Sequence, residues 1–353
     1  MSPSETSSFE HIRRIVLCYP VETRHLEQLT RTLDELKSDP SVRLNHDIEL
    51  VDAGQERIDE LLPTADIFIG HAKVPVDWDR VLAAGRLQWI QSSAAGLDHC
   101  LVPGVIDEPR IVVSSASGLF APQVAEQTFA LMFGVLRRIG LFERARAVTE
   151  FIRRPTDDLR GKTVGIVGLG GNGREITKRL AAWDVRILAT DYYPEQKLDE
   201  VETLWPADQL DELFAASDIV ILTMPLNAST HHAVGARQFS KMKPGGYLIN
   251  VARGQVVRET DLVDALQSGH LAGAGVDVTE IEPLPEESPL WADPNVLITP
   301  HVGAQSSRRV DDTTDLVCIN LRRYFTDQRL YNRVDKRLGF PHPNDSYRVA
   351  SQS

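Results

Sequence analysis

Residues 162–191 constrain this chain more than any other stretch. An apolar run, Thr163-Val164-Gly165-Ile166-Val167, breaks into Gly168-Leu169-Gly170-Gly171-Asn172-Gly173. A helical segment follows over 174–183, then a second apolar run over 185–189 that closes at Asp191. The order is strand, glycine turn, helix, strand, acid. Gly168, Gly170 and Gly173 fit the G-x-G-x-x-G spacing, and Asp191 stands eighteen residues past the last of them. A bare glycine triplet is weak evidence. Set between a strand and a helix and closed by an acid, it specifies a dinucleotide-binding βαβ unit.

The first glycine allows a tight turn and the second lets backbone amides approach a pyrophosphate. The third lets the helix pack closely on the strand. Phosphate then meets unpaired amides at the positive end of the helix dipole. Asp191 can accept from the adenosine ribose hydroxyls, and its charge repels a 2′-phosphate. Tyr192, Tyr193 and Pro194 follow, with no adjacent Arg or Lys. The expected cofactor is therefore NAD, with NADH preferred over NADPH. The plainer alternative is a βαβ unit whose glycines only make turns.

The chain has 353 residues, 42% of them apolar, enough for two domains of ordinary size. No apolar run reaches the roughly eighteen residues of a membrane span. Residues 1–10 carry no basic segment before a long apolar block, so no signal peptide is expected. Cys18, Cys100 and Cys318 are scattered, which fits reduced thiols and a cytoplasmic location. A net charge of −12 argues against nucleic acid or an anionic membrane as partner. An anionic substrate would need positive charge supplied locally.

Residues 1–12 read as a loose polar lead. Strands are expected over 14–19, 47–52, 65–70, 87–92 and 110–114, with helices over 21–36 and 77–84 between them. Alternation of this kind implies a mostly parallel α/β sheet, but without a glycine fingerprint. A helix is expected over 122–139, with Pro122 at its start and Gly140 after it. It is apolar almost all round, so it should be buried on every face, between domains or in a subunit interface. Residues 153–160 are a polar connection. After the fingerprint unit, strands are expected over 217–224, 246–251, 274–278 and 296–299, a helix over 259–267, and part of a last helix over 316–325. Residues 331–340 form a return segment, and the tail from 342 reads as polar and unstructured.

In an open parallel sheet, ligands bind beyond the carboxyl ends of the strands. Four polar groups follow expected strands there: Arg253 in Asn250-Val251-Ala252-Arg253-Gly254, then Asp277, then Glu282 before Pro283, then His301 after Thr299-Pro300. This set suits hydride transfer at a carbon bearing oxygen beside a carboxylate. Arg253 offers a planar fork for the carboxylate. His301 can exchange a proton with the oxygen, and a contacting Glu282 favours the protonated ring. Each has a bland reading: Arg253 as a surface ion pair, His301 as a structural histidine, Glu282 as solvated charge beside Glu280, Glu286 and Glu287, Asp277 as a cap. Four such groups on one sheet edge make joint coincidence the weaker account. His231-His232 suggest metal ligands, but no carboxylate or cysteine pattern accompanies them. They are expected at the surface, and no metal site is assigned.

The residues carry a resemblance over about 92–339. The chain resembles the D-isomer-specific 2-hydroxyacid dehydrogenases, a family that includes hydroxypyruvate and glyoxylate reductases, D-lactate dehydrogenase and phosphoglycerate dehydrogenase. The most specific matches are 167–170, 250–254, Asp277-Val278 with Glu282-Pro283, and Thr299-Pro300-His301. The resemblance implies that Arg253, Glu282 and His301 are the catalytic set and that Asp277 contacts the nicotinamide carboxamide. Met224 and Pro225 match the stretch lining the adenine pocket. It assigns cofactor binding to Gly168, Gly170, Gly171, Asn172, Gly173, Asp191, Met224, Pro225, Val251, Ala252, Arg253, Asp277 and His301. Residues 93–98 resemble the substrate loop, giving Ala95, Gly96, Arg253 and His301 as substrate contacts, and residues 71–74 also follow a strand on that side.

The implied fold is two Rossmann-like or flavodoxin-like parallel-sheet domains with a cleft between them. Residues 1–120 with 305–353 make a discontinuous substrate domain, and 121–304 the NAD-binding Rossmann domain. The implied partners are a small anionic 2-oxoacid or 2-hydroxyacid and a second copy of the chain, a homodimer. Two departures bear on the substrate: Gly171-Asn172 replaces a basic residue and isoleucine, and 114–118 replaces an asparagine-containing stretch. Three other readings share parts of the pattern. A formate dehydrogenase-like enzyme would pair its histidine with Gln, so Glu282 counts against it. A corepressor-like NAD(H)-sensing regulator keeps the same residues. A glycine-fingerprint methyltransferase gives Arg253, Glu282 and His301 no role.

Overall fold

The computed structural model describes residues 8–9, 11–44 and 47–347. The chain divides into two compact units, Met1–Leu119 with Ser306–Ser353, and Phe120–Gln305.

In the first unit a five-stranded parallel sheet is built from β1 (Arg14–Cys18), β2 (Glu49–Asp52), β3 (Ile67–Gly70), β4 (Trp89–Ser92) and β5 (Val112–Ser114). The order is β2-β1-β3-β4-β5, the flavodoxin-like arrangement. Strands covered on both faces read as continuous apolar runs, and β3, Ile67-Phe68-Ile69-Gly70, is buried throughout. The helix Thr23–Ser38 buries Leu29, Leu33 and Leu36 in a cluster with Val317, Cys318, Leu321 and Phe325 of the helix Arg309–Phe325. That last helix starts seven residues earlier than its apolar pattern suggests (316 − 309). Its first turn holds Asp311 and Asp312, which suit the dipole, and Asp311 pairs with His25 of the other helix at 2.8 Å.

Two terminal expectations are corrected. The lead is anchored: Ile12 is fully buried, and Ser8–Phe9 pairs in parallel with Arg43–Leu44. Residues 1–7 and 10 lie outside the described residues. The tail is ordered as far as Tyr347. Asp345 is buried, and its carboxylate takes an ion pair from Arg329 at 2.5 Å. Residues 348–353 lie outside the described residues.

The second unit holds a seven-stranded parallel sheet: β6 (Thr163–Val167), β7 (Arg186–Asp191), β8 (Thr203–Pro206), β9 (Ile219–Leu222), β10 (Gly246–Asn250), β11 (Leu271–Val276) and β12 (Val296–Ile298). The order is β8-β7-β6-β9-β10-β11-β12, so the direction of winding reverses between β6 and β9. Side chains alternate between two cores. Val164, Ile166, Ile219 and Ile221 face one, and Val167, Val220 and Leu222 the other.

The expected helix over 122–139 is Ala121–Leu136, ended by Arg138 at φ +54°, with a further helix at Ile139–Ala147. Its Val124, Leu131, Met132, Val135 and Leu136 pack on the sheet of the same unit. Burial is not uniform: Phe129 and Phe133 are half-buried and Ala130 is exposed.

Candidate active site

The glycine turn leaves β6 at the point where winding reverses, where a ligand crevice forms. Gly168 has φ +97°, a conformation that side chains strain to adopt. A Cβ on Gly173 would stand 2.1 Å from the carbonyl oxygen of Gly168, so the helix Gly171–Leu180 lies directly on the turn. Gly170 differs: a Cβ there meets nothing within 4 Å. Gly170 and Gly171 are exposed and Asn172 is half-buried. An open space thus faces the helix N-terminus, where amides and dipole favour a phosphate.

Asp191 ends β7. One carboxylate oxygen accepts from the Leu169 amide at 2.5 Å and the other from the Tyr193 amide at 2.8 Å. It therefore ties the glycine turn to the second strand. A carboxylate has about four lone-pair sites, which leaves room for ribose hydroxyls. Met224 is buried, its backbone 3.0 Å from where a Gly168 Cβ would be, and Pro225 beside it is half-buried. These residues fit a dinucleotide.

Beyond β10 the buried Asn250 folds back on its own loop. Its Oδ1 accepts from the Ala252 amide at 3.0 Å and its Nδ2 donates to the Arg253 carbonyl at 3.2 Å. Val251 and Ala252 are buried by this turn, and Arg253 is half-buried after them. Beyond β11 the Asp277 carboxylate is 3% exposed and engaged on both oxygens. Oδ1 accepts from the Thr299 hydroxyl at 2.6 Å and the Val302 amide at 3.0 Å, and Oδ2 from the Gly303 amide at 2.8 Å. Asp277 thereby shapes the loop that carries His301, whose own amide donates to the Asp277 carbonyl at 2.7 Å.

His301, at φ +53°, points Nδ1 at Glu282 Oε2 over 2.9 Å. The other Glu282 oxygen accepts from the Thr279 amide at 3.2 Å. Burial works to raise the Glu282 carboxyl. The hydrogen bond and charge of His301, the Thr279 amide and the Arg253 charge outweigh it, and the carboxyl lies below its ordinary value. Arg253, Glu282 and His301 therefore share one electrostatic neighbourhood. With Nδ1 held by Glu282, Nε2 is the ring nitrogen available to move a proton. Ala95 and Gly96 belong to the first unit, on the loop after β4; Ala95 is exposed and Gly96 half-buried.

The histidine pair needs correction. His231 is exposed, but His232 is half-buried, with Nε2 2.5 Å from Glu280 Oε1. No group of metal-binding residues occurs among the described residues. Sequence reasoning also missed Thr223, whose hydroxyl donates to the Gly168 carbonyl at 2.6 Å, and the relay of Gln127 to Thr299 at 2.7 Å behind Asp277. Thr299 was visible beside its motif. Gln127 gave no signal, and His232 was noticed without its pairing to Glu280, because both partners are distant in sequence.

A doubly wound sheet with this turn, and an imidazole–carboxylate pair with an arginine at the same edge, is the equipment of a nicotinamide-dependent oxidoreductase. The model of the D-isomer specific 2-hydroxyacid dehydrogenase NAD binding domain matches residues 129–303. A glyoxylate reductase of Thermofilum pendens is 36% identical over 257 residues, covering 70% of this chain and 74% of the relative. The 4-methyl-2-oxopentanoate reductase A of Aspergillus oryzae is 37% identical over 239 residues, covering 67% and 71%. An NADPH-dependent glyoxylate/hydroxypyruvate reductase from Sinorhizobium meliloti, solved with NADP and malonate, is similar with a TM-score of 0.73 at 30% identity, covering 94% of this chain and 98% of that one. The chain belongs to the D-isomer specific 2-hydroxyacid dehydrogenase family. Among the described residues no helix is long and apolar enough to cross a membrane.

Proposed function

We propose that the protein interconverts a small 2-oxoacid and its D-2-hydroxyacid, with NADH preferred over NADPH. The observation that carries this is the Glu282–His301 pair at 2.9 Å, with Arg253 lowering the same carboxyl. The nicotinamide, when bound, supplies or accepts the hydride. Arg253 binds the substrate carboxylate through its planar fork. His301 gives a proton from Nε2 to the carbonyl oxygen and takes one back in the reverse direction, while Glu282 holds Nδ1 and orients the ring. Ala95 and Gly96, on the loop after β4, are further substrate contacts in this reading. Asp277 fixes the His301 loop, and its Oδ2, which accepts from the Gly303 amide, also accepts from the nicotinamide carboxamide.

The preference for NADH rests on Asp191, followed by Tyr192, Tyr193 and Pro194 with no cation among them. The Sinorhizobium meliloti protein was solved with NADP, so the test compares both cofactors. NADH oxidation is measured against a panel of 2-oxoacids, glyoxylate and hydroxypyruvate included, and repeated with NADPH. Turnover with at least one acid, faster with NADH, is expected. Tight NADH binding without turnover of any acid would instead favour the sensing regulator, and faster turnover with NADPH would remove the argument from Asp191.

The exposed apolar side chains Phe151 (99%), Val148 (73%) and Ile139 (50%) fall in one short stretch of the second unit, and grouped apolar surface is what a subunit interface covers, which supports a homodimer. Phe151→Asp is expected to shift sedimentation toward the monomer; an unchanged dimer would place the interface elsewhere. Cys18, Cys100 and Cys318 are buried free thiols, which suits a reducing cytoplasm.

A further inference from the structure

Two loops of the second unit carry the groups assigned to the reaction. Residues 250–254 hold Arg253, and residues 277–283 hold Glu282. Carboxylate binding and proton transfer act on one small molecule, so the separation of these loops has to be fixed closely.

The junction between them is specific. A Cβ on Gly254 would stand 1.8 Å from the Thr279 carbonyl oxygen, so the backbones are in contact. Gln255 Nε2 donates to the Glu280 carbonyl at 3.0 Å. Glu259 and Glu280 bond reciprocally, each carboxylate accepting from the other's amide, at 2.9 and 3.1 Å.

His232 touches both sides. Its amide donates to the Gln255 carbonyl at 2.8 Å, two residues from Arg253, and its ring meets Glu280 at 2.5 Å, two residues from Glu282. Its φ is +53°, a left-handed conformation that a residue other than glycine holds when the surroundings demand it. The neighbouring bond of Val234 to Val256, and that of Arg258 back to Val234, fasten the same strip. The charged and titratable groups against the ring are Glu280 and His231, whose ring centroid lies 4.0 Å away. Glu259 lies behind Glu280.

The geometry points to His232 as a positioning residue. Bonded to Gln255, just past one loop, and to Glu280 within the other, it holds Arg253 in register with the Glu282–His301 pair. This rests on the reading of those three as the reacting set.

The test uses the full chain with His232→Leu, His232→Gln and Glu280→Gln. The leucine removes the bond to Glu280, and the glutamine keeps a donor near the Nε2 position. The measurements are kcat and KM over pH, NADH affinity by fluorescence, thermal midpoint, and calorimetric affinity for oxamate, a 2-oxoacid isostere, in the presence of NADH. In His232→Leu, kcat is expected to fall ten- to a hundredfold and oxamate affinity about tenfold, the range for a small misplacement of reacting groups. NADH affinity should stay within about twofold, because the glycine turn is untouched. His232→Gln should recover most of both losses. If His232→Leu does not fold, Glu280→Gln is expected to show the same split.

Unchanged kcat and oxamate affinity in a folded variant would overturn the proposal. So would losses that follow NADH affinity and thermal midpoint together, or that glutamine fails to recover. A wild-type chain that neither reduces a 2-oxoacid nor binds oxamate would fail the reading of the site itself. An active wild type with silent variants would fail only the positioning role.

Discussion

His301 has one ring nitrogen held by Glu282 at 2.9 Å, and the proposed reaction uses the other, so this division sets what each substitution should do. His301→Ala removes the proton donor and is expected to lower kcat on the order of a hundredfold or more, a larger loss than any in NADH affinity. A steady-state assay beside an NADH titration checks it, and a variant of normal kcat would dismiss His301 from the role. Glu282 acts differently. Its carboxyl lies below its ordinary value: burial opposes the shift, and His301, the Thr279 amide and Arg253 produce it. A depressed carboxylate contributes stability that is complete above the ordinary value, about 4.3, and is lost as pH falls through the lowered one. The pair is partly exposed, so the effect is small. The thermal midpoint of Glu282→Gln should lie below wild type near neutrality and converge with it in acid. Parallel curves down to about pH 3 would mean that the pairing contributes nothing to folding. The sequence carried Arg253, Glu282 and His301, because each follows a strand at the edge where ligands bind. It did not carry His232, whose partner Glu280 is 48 residues away and meets it only in the folded chain.

The glycine turn joins a strand to a helix, and its glycines do separable work. Gly173 closes the element: a Cβ there collides with the Gly168 carbonyl, backbone that cannot move aside. Gly173→Ala is expected to cost about 1–3 kcal/mol in urea unfolding, the range for forced overpacking. Gly170 has open space at its Cβ position. Gly170→Ala should therefore leave unfolding nearly unchanged and weaken NADH binding, because the methyl group enters the space the pyrophosphate takes. Equal stability loss in both variants would contradict this division. Elements whose pattern was uninterrupted were legible, as in β6, β9 and β10. The strand β8 was missed because Leu204-Trp205-Pro206 is short and ends in a proline, which is tolerated at a sheet edge. The long apolar helix was read three residues too far (139 − 136), because the break at Arg138 is a backbone event that side-chain periodicity does not record.

At the scale of the whole molecule, one continuous stretch, Phe120–Gln305, is inserted into a unit made from the two ends of the chain. Parallel strands separated by helices announced two sheets. The discontinuity was expected only through the family resemblance, because nothing in the local pattern of residues 306–353 says which sheet its helix will cover. The packing supplies that answer: Val317, Cys318, Leu321 and Phe325 join the cluster of Ile15, Leu17 and Leu29. Conversely, among the described residues both cores of the inserted unit draw only on 120–305, from Val124 and Leu131 on one face to Leu262 and Val296 on the other. The glycine turn, Asp191, Asp277 and the Glu282–His301 pair all lie within the same limits. A fragment of residues 120–305 is therefore expected to unfold cooperatively and to bind NADH with an affinity near that of the full chain. It should reduce no 2-oxoacid, because the loop at Ala95 and Gly96, assigned to the substrate, is left behind. Circular dichroism, NADH fluorescence and the reductase assay on one preparation decide this. A folded fragment that fails to bind NADH would mean that the first unit contributes to the cofactor site, and one that still reduces the acid would remove Ala95 and Gly96 from substrate binding.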